Sequence, residues 1–219
     1  MYLNERQKGI IFDLDNTLLH SHIDFSGMKK TVAQWLMDQG VLDSTQDSSI
    51  YTTSQLINQA KACGHLSLEQ ENNIWQLIGK FEEDGMQGAT LEDGVKDTLA
   101  QLKSQDCSLF VLTNNAYQAA ITALQETGIH SYFRKVYGRE QVPALKPSPS
   151  GIQRIIREHH PIISQNNWLM IGDSWIDGKA AHHSGIPFLL YNGRESDLKV
   201  HQVPTKAHIK HFQDIIKYI

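Results

Sequence analysis

The chain has little cysteine, and what it has is not arranged for disulfide bonding. Among its 219 residues only Cys63 and Cys107 are cysteines, and they lie far apart with no second thiol near either one. A disulfide framework is therefore excluded, and neither thiol has the sequence setting of a nucleophile. We expect two reduced cysteines, in the core or on a helix face, as is typical of a cytoplasmic protein.

The chain also lacks an excess of basic residues and any long hydrophobic run. The 20 Lys and Arg against 24 Asp and Glu give a net charge of -4, which provides no general attraction to nucleic acid. No apolar run approaches the roughly 20 residues of a membrane span, and the N-terminal MYLNERQKG has no apolar signal core. We therefore expect a cytoplasmic protein with neither nucleic-acid nor membrane partners, in which a small anionic substrate would need a local cation.

Short apolar runs that end in polar turns alternate with amphipathic stretches. The runs are GIIFD, CSLFVLTNN, WLMIGDS and PFLLYNG, and the stretches with helical spacing are residues 95–103, 116–126, 150–159 and 177–183. This alternation is typical of an α/β protein built on a doubly wound parallel sheet.

Residues 20–89 have a different pattern. Their apolar residues fall at helical spacing, as in Ile74, Leu77, Ile78 and Phe81, and no strand-like run among them ends in a polar turn. A chain with 40% apolar residues can bury one good core and a modest insertion. We predict that residues 1–19 and 90–219 form the α/β core domain and that residues 20–89 form an inserted helical cap domain.

Polar residues follow three of the predicted strands. Asp13 and Asp15 follow the first apolar run, Thr113 follows the second, and Asp173 follows the third. Ligands of open parallel sheets bind at the carboxyl ends of the strands, so these residues are expected to converge. Two neighbouring carboxylates repel each other unless they share a cation, and oxygen ligands favour Mg²⁺. Taken alone, the Asp-x-Asp pair could equally shape a turn and cap a helix.

Four motifs in order carry a resemblance to a known family. They are Asp13-Leu14-Asp15-Asn16-Thr17, Thr113 after SLFVL, Lys146 in LKPSP, and Gly172-Asp173-Ser174-Trp175-Ile176-Asp177. With these motifs the chain resembles the haloacid dehalogenase-like (HAD) superfamily over nearly its whole length, in the phosphatase branch with a helical C1-type cap. The pattern is most similar to phosphoglycolate phosphatase-like enzymes, although nucleotide and sugar phosphatases share the same motifs.

The resemblance implies a hydrolase of small phosphate monoesters that acts through an aspartyl-phosphate on a Rossmann-like core. Asp13 would be the nucleophile, and Asp15 would protonate the leaving alkoxide and then deprotonate the attacking water. Lys146 would offset the negative charge of Asp13 and of the phosphoryl oxygens. Thr113 and Asn114 would bind the phosphate together with Lys146.

The resemblance also implies a magnesium cofactor. Asp13, the backbone carbonyl of Asp15 and Asp173 would be ligands, and Asp177 would steady a bound water or serve as a further ligand. The cap would close over the substrate and exclude bulk water, with hinges near residues 20 and 90.

Other interpretations of the sequence remain open at this point. A phosphomutase of the same family would keep the aspartyl-phosphate and return the group, and a noncatalytic phosphoacceptor or interaction module would combine similar residues around magnesium. Lys146 could be a solvent-facing lysine, and TNN could cap a helix. His20 and His22 lie where the chain leaves the first motif, so they could touch substrate or belong to an exposed linker. The motifs specify neither the substrate nor the oligomeric state.

Overall fold

Eight strands lie in the part of the chain that the computed structural model describes, residues 7–43 and 51–219. They are β1 (Gly9–Phe12), β2 (Leu19–His20), β3 (Thr90–Leu91), β4 (Ser108–Leu112), β5 (Lys135–Tyr137), β6 (Trp168–Gly172), β7 (Phe188–Tyr191) and β8 (Ala207–Ile209). The helices are α1 (Phe25–Asp38), α2 (Thr53–Ala62), α3 (Leu68–Met86), α4 (Val95–Ser104), α5 (Tyr117–Glu126), α6 (Ser150–His159), α7 (Trp175–His183) and α8 (Glu195–Val200).

Six of the strands form one parallel sheet in the order β5-β4-β1-β6-β7-β8. The strand order reverses around β1, because the chain builds outward from β1 in one direction through β4 and in the other through β6. The prediction of an α/β fold with a doubly wound parallel sheet is therefore confirmed. The four apolar runs supply β1, β4, β6 and β7, as expected.

The central strands are apolar on both faces because helices cover both sides of the sheet. All residues of β1, β4 and β6 are buried. On one face, Phe110 and Trp168 pack in a cluster with Ile152 and Ile155 of α6. Gly9 leaves room for this packing, since a Cβ there would lie 2.4 Å from the Trp168 ring.

The chain divides into two compact units. One contains the sheet and consists of the described residues up to Ser21 together with Ala89–Ile219, and the other lies within His22–Gly88. The sheet-bearing unit also contains a short antiparallel ribbon, in which Leu19 pairs with Leu91 and His20 with Thr90. The sequence did not predict this ribbon, since two-residue strands are too short to show a period.

The described part of the second unit is helical, with α1 packed against both α2 and α3. Capping boxes begin two of these helices, Thr52 with Gln55 at α2 and Ser67 with Gln70 at α3. The buried residues of α3 include Ile74 and Ile78, which lie four apart on one face. Across both units, none of the described helices has the length and apolar character needed to cross a bilayer.

Candidate active site

The polar residues that follow β1, β4 and β6 lie at the carboxyl edge of three adjacent strands. β1 runs between β4 and β6, with Phe12 in register with Val111 on one side and Ile171 on the other. The next residue, Asp13, donates its backbone N–H to the carbonyl of Ile171 at 2.9 Å. Asp13, Thr113 and Asp173 therefore begin their loops side by side, at the point where the strand order reverses.

Three carboxylates converge at this edge. Asp13, Asp173 and Asp177 each offer an oxygen, and these oxygens all lie within 4.8 Å of one another. Burial, and after it the negative charge of Asp13, raises the pKa of Asp173 well above its ordinary value and that of Asp177 to about 6. Such a cluster is unfavourable when fully ionised and is stabilised by a shared cation. A set of hard carboxylate oxygens is the donor set that Mg²⁺ prefers.

Lys146 provides a buried positive charge to the same cluster. Its side chain is 4% exposed, and Nζ donates to Asp13 Oδ1 and to Asp177 Oδ1, at 2.6 Å each. Burial alone would lower the pKa of Lys146, but the two carboxylates outweigh it and raise the pKa above its ordinary value. Lys146 therefore remains charged at neutral pH, and it is not a solvent-facing residue.

Asp177 is held from two directions at the beginning of α7. Its Oδ1 accepts from Lys146, and its Oδ2 accepts the backbone N–H of Ser174 at 3.2 Å in a capping box. Gly172 allows this arrangement, because a Cβ there would lie 2.5 Å from the Asp177 carboxylate. Both oxygens of Asp177 thus have protein partners, but a carboxylate oxygen can accept more than one, so both of its predicted roles stay open.

Asp15 lies beside the cluster with its own hydrogen-bond partners. Ser21 Oγ donates to Oδ1 and Asn115 Nδ2 donates to Oδ2, both at 2.6 Å. Burial and the charge of Asp13 raise the pKa of Asp15 to about 7, against the opposing effect of the two hydrogen bonds. A carboxyl group with this pKa can both donate and accept a proton near neutral pH.

Asn114 and Thr113 have partners within the protein. Asn114 Oδ1 accepts the backbone N–H of Lys146 at 2.8 Å, and Asn114 Nδ2 donates to the carbonyl of Lys146 at 3.0 Å. The Thr113 hydroxyl oxygen accepts the backbone N–H of Asn115 at 3.1 Å. The side chain of Asn114 thus holds the backbone that carries Lys146.

Two residues of the site, Ser21 and Asn115, were not among the predicted ones. Asn115 is the second asparagine of TNN, and nothing local in the sequence indicates that its side chain meets Asp15, 100 positions away.

The two histidines after the first motif lie towards solvent. The side chain of His20 is 60% exposed, and its Nδ1 lies 3.6 Å from Glu92 Oε1. His22 is exposed.

Several curated proteins named phosphoglycolate phosphatase are similar to this chain. The protein from Cereibacter sphaeroides strain ATCC 17025 is 24% identical over 94% of this chain and 95% of its own length. The protein from Rhodobacter capsulatus is 33% identical, but over only 52% of this chain and 50% of its own length. A relative from Photobacterium profundum is 29% identical over 80% of this chain and 78% of its own.

Solved structures share the fold at lower identity. A predicted phosphoglycolate phosphatase from Haemophilus somnus has a TM-score of 0.67 at 23% identity, covering 98% of this chain and 99% of that one. A HAD-type hydrolase from Bacillus subtilis, solved with bound magnesium, has a TM-score of 0.63 at 21% identity, covering 98% and 99%. Residues 10–191 also match the model of a protein family described as "Haloacid dehalogenase-like hydrolase". The expected resemblance, in the phosphatase branch, is thereby confirmed: the chain belongs to the haloacid dehalogenase-like hydrolase family.

Proposed function

We propose that this chain is a magnesium-dependent hydrolase of small phosphate monoesters that works through an aspartyl-phosphate. The observation that supports it most is the combination of Asp13, bound to Lys146 at 2.6 Å, with a separately held Asp15 whose pKa is raised to about 7. One carboxylate beside a fixed cation suits a nucleophile, and one titrating near neutral pH suits a proton donor and acceptor. Phosphoglycolate is the first substrate to test because the similar curated proteins carry that name.

In the first chemical step, a carboxylate oxygen of Asp13 attacks phosphorus and forms the acyl-phosphate bond. The bond from phosphorus to the ester oxygen breaks, its electron pair goes to that oxygen, and Asp15 supplies the proton that makes it an alcohol. In the second step water attacks the same phosphorus and gives its proton to Asp15. The bond to Asp13 breaks, which releases phosphate and restores both carboxyl groups.

The charges around Asp13 decide whether one anion can attack another. Lys146 reduces the negative charge of Asp13 and would do the same for the phosphoryl oxygens. Asp13, Asp173 and the backbone carbonyl of Asp15 would hold Mg²⁺, and Asp177 would support a bound water or serve as a further ligand. The ion would supply further charge neutralisation. Thr113, the backbone N–H of Asn114 and Lys146 would bind the phosphate.

Residues 20–89, the predicted cap domain, would exclude bulk water and select the substrate. The net charge of -4 favours a small phosphorylated metabolite over nucleic acid as the substrate. The two free cysteines, Cys63 and Cys107, fit a cytoplasmic protein.

A panel of phosphorylated metabolites tests this function. The purified chain is incubated with phosphoglycolate, nucleoside monophosphates and sugar phosphates, with Mg²⁺ or with chelator, and free phosphate is measured. Asp13→Asn is the control for contaminating phosphatase. We expect at least one small ester to release phosphate in the presence of Mg²⁺ and none to do so in chelator.

Other results of the panel would contradict the proposal. Phosphate moved within a sugar phosphate without release would identify a phosphomutase. A stable phosphorylated protein without turnover would identify a phosphoacceptor. Equal release by the Asp13→Asn variant would show that the activity is not that of this site.

A further inference from the structure

Asp15 is oriented by two side chains that the proposed mechanism does not use. Ser21 donates to one carboxylate oxygen and Asn115 to the other, at 2.6 Å each. Both Asp15 and Asn115 are buried, 8% and 5% exposed. Hydrogen bonds to a buried carboxylate are strong, because water does not compete for either partner.

The two donors differ in what they can do. A serine hydroxyl rotates and can donate or accept, whereas an asparagine Nδ2 can only donate. Ser21 is also the last residue of the sheet-bearing unit before the helical residues begin. Asn115 therefore provides the contact that fixes the orientation of Asp15, and Ser21 provides an adjustable one.

The backbone of Asn115 is itself held on both sides. Its N–H donates to Thr113 Oγ1 at 3.1 Å, and its carbonyl accepts the N–H of Arg139 at 2.8 Å. A Cβ at Gly138 would lie 2.5 Å from Tyr117 Cα and 3.0 Å from the Asn115 carbonyl, so the close packing of this loop requires glycine at position 138. A side chain on so constrained a loop has little freedom to move its amide away from Asp15.

We propose that Asn115 is a positioning residue, whose side-chain amide holds the carboxyl group of Asp15 in the orientation needed to protonate the leaving group. This inference rests on the proposed function, because it assigns Asp15 the role of acid. Asn115 itself touches neither the reacting phosphorus nor the ester oxygen in this account. A displacement of about 1 Å at a reacting group can cost on the order of 100-fold in rate.

The test is the dependence of the first step on the leaving group. An alkoxide needs the proton from Asp15, whereas para-nitrophenolate departs almost unaided. Rapid-quench measurements with Asn115→Ala, under single turnover, give the rate of the first step for an alkyl phosphate and for para-nitrophenyl phosphate. We expect a loss of at least tenfold with the alkyl ester and less than about threefold with the aryl ester.

Matched variants separate this role from a structural one. Asn166→Ala removes an exposed asparagine from the turn before β6 and should change neither rate. Asn115→Ser, which is smaller but still polar, should give the same selective loss if Asn115→Ala does not fold. In an Asp15→Asn background, Asn115→Ala should add no further leaving-group effect, because both changes remove the same function.

The outcomes distinguish the inference from the function on which it rests. If Asp15→Asn slows the alkyl ester selectively but Asn115→Ala slows both esters equally or neither, only the positioning role is overturned. If Asp15→Asn itself shows no selectivity for the leaving group, Asp15 is not the acid and the proposed function fails.

Discussion

At the scale of single residues, the carboxylates of Asp13 and Asp15 differ in the groups that surround them. Asp13 accepts a hydrogen bond from the cation Lys146, whereas the hydrogen-bond donors to Asp15 are the neutral side chains of Ser21 and Asn115. Burial and the neighbouring carboxylate of Asp13 raise the pKa of Asp15 to about 7. This contrast explains how two aspartates with one residue between them could serve as nucleophile and as acid.

Asp13→Asn is expected to abolish turnover while the chain stays folded, because an amide cannot attack phosphorus as a carboxylate does. Phosphate release and circular dichroism would be measured together on wild type and variant. The nucleophile assignment would be wrong if the folded variant retained even about a tenth of the wild-type rate.

The site also shows what a single sequence can reveal about residue positions. Asp13, Lys146 and Asp177 could be predicted because each belongs to one of the four motifs that carry the family resemblance, and the structure brings their side chains together. Ser21 and Asn115 could not, because their importance comes from contact with Asp15, and a contact between distant parts of the chain leaves no local pattern. For the same reason, the sequence did not predict that the side chain of Asn114 would hold the backbone of Lys146.

At the scale of elements, hydrogen bonds to Glu158 of α6 link that helix to β5. Glu158 Oε2 accepts from Lys135 Nζ and from the Tyr137 hydroxyl, each at 2.7 Å, and its Oε1 accepts from Arg154 Nε at 2.6 Å. These hydrogen bonds, with that from Lys135 the largest cause, lower the pKa of Glu158 from 4.5 to about 2. The ionised form is therefore the one that stabilises the fold.

Glu158→Gln is expected to lower the free energy of unfolding by about 1 kcal/mol at pH 7, a modest effect because solvent screens a partly exposed network. The folded-state pKa lies below the unfolded one, so the contribution of Glu158 is fully present above pH 4.5 and is lost as the pH falls towards 2. Urea unfolding at pH 7 and pH 3.5 would measure it, and the wild-type advantage should shrink at the lower pH.

The control for this change is Glu126→Gln, which alters an exposed glutamate at the end of α5. It should leave the free energy of unfolding nearly unchanged at both pH values. An equal loss in the two variants, or a Glu158→Gln loss that does not change with pH, would contradict the role assigned to the Glu158 network.

Element prediction succeeded where periodicity extends over enough residues. The helix expected at 150–159 is α6, and the helices expected at 116–126 and 177–183 begin at Tyr117 and Trp175. α7 starts earlier than predicted because Ser174 caps it, accepting the N–H of Ile176. β5 and β8 were not predicted, since three residues of strand are too few to define an alternation.

At the scale of the whole molecule, the parallel sheet follows from the alternation of apolar runs with amphipathic stretches. The sheet order then brings β1, β4 and β6 side by side, which is what gathers residues from distant parts of the chain. The sequence could not reveal the substrate, because the motifs specify the phosphoryl-transfer groups and not the surface that contacts the rest of the ester.

Magnesium should affect both activity and stability of the whole chain. We expect activity to vanish with chelator, return with Mg²⁺, and not be supported by Ca²⁺, whose looser coordination would misplace the nucleophile. Because Mg²⁺ would bind the folded state and not the unfolded one, it should also raise the thermal unfolding midpoint of the wild-type chain. Asp173→Asn should remove most of that rise, and full activity in chelator would exclude the metal role.

The central claim, that Asp13 carries the phosphoryl group during turnover, is tested most directly by trapping the phosphorylated chain. Asp15→Asn lacks the base for the second step, so para-nitrophenyl phosphate should release one burst of nitrophenolate, about equal to the enzyme, and then stall. Mass spectrometry of the fragment 9–29, produced by cleavage after Lys8 and Lys29, should find one phosphoryl group on Asp13 that hydroxylamine removes. Steady turnover without a phosphorylated chain, or a phosphoryl group on any other residue, would contradict the account.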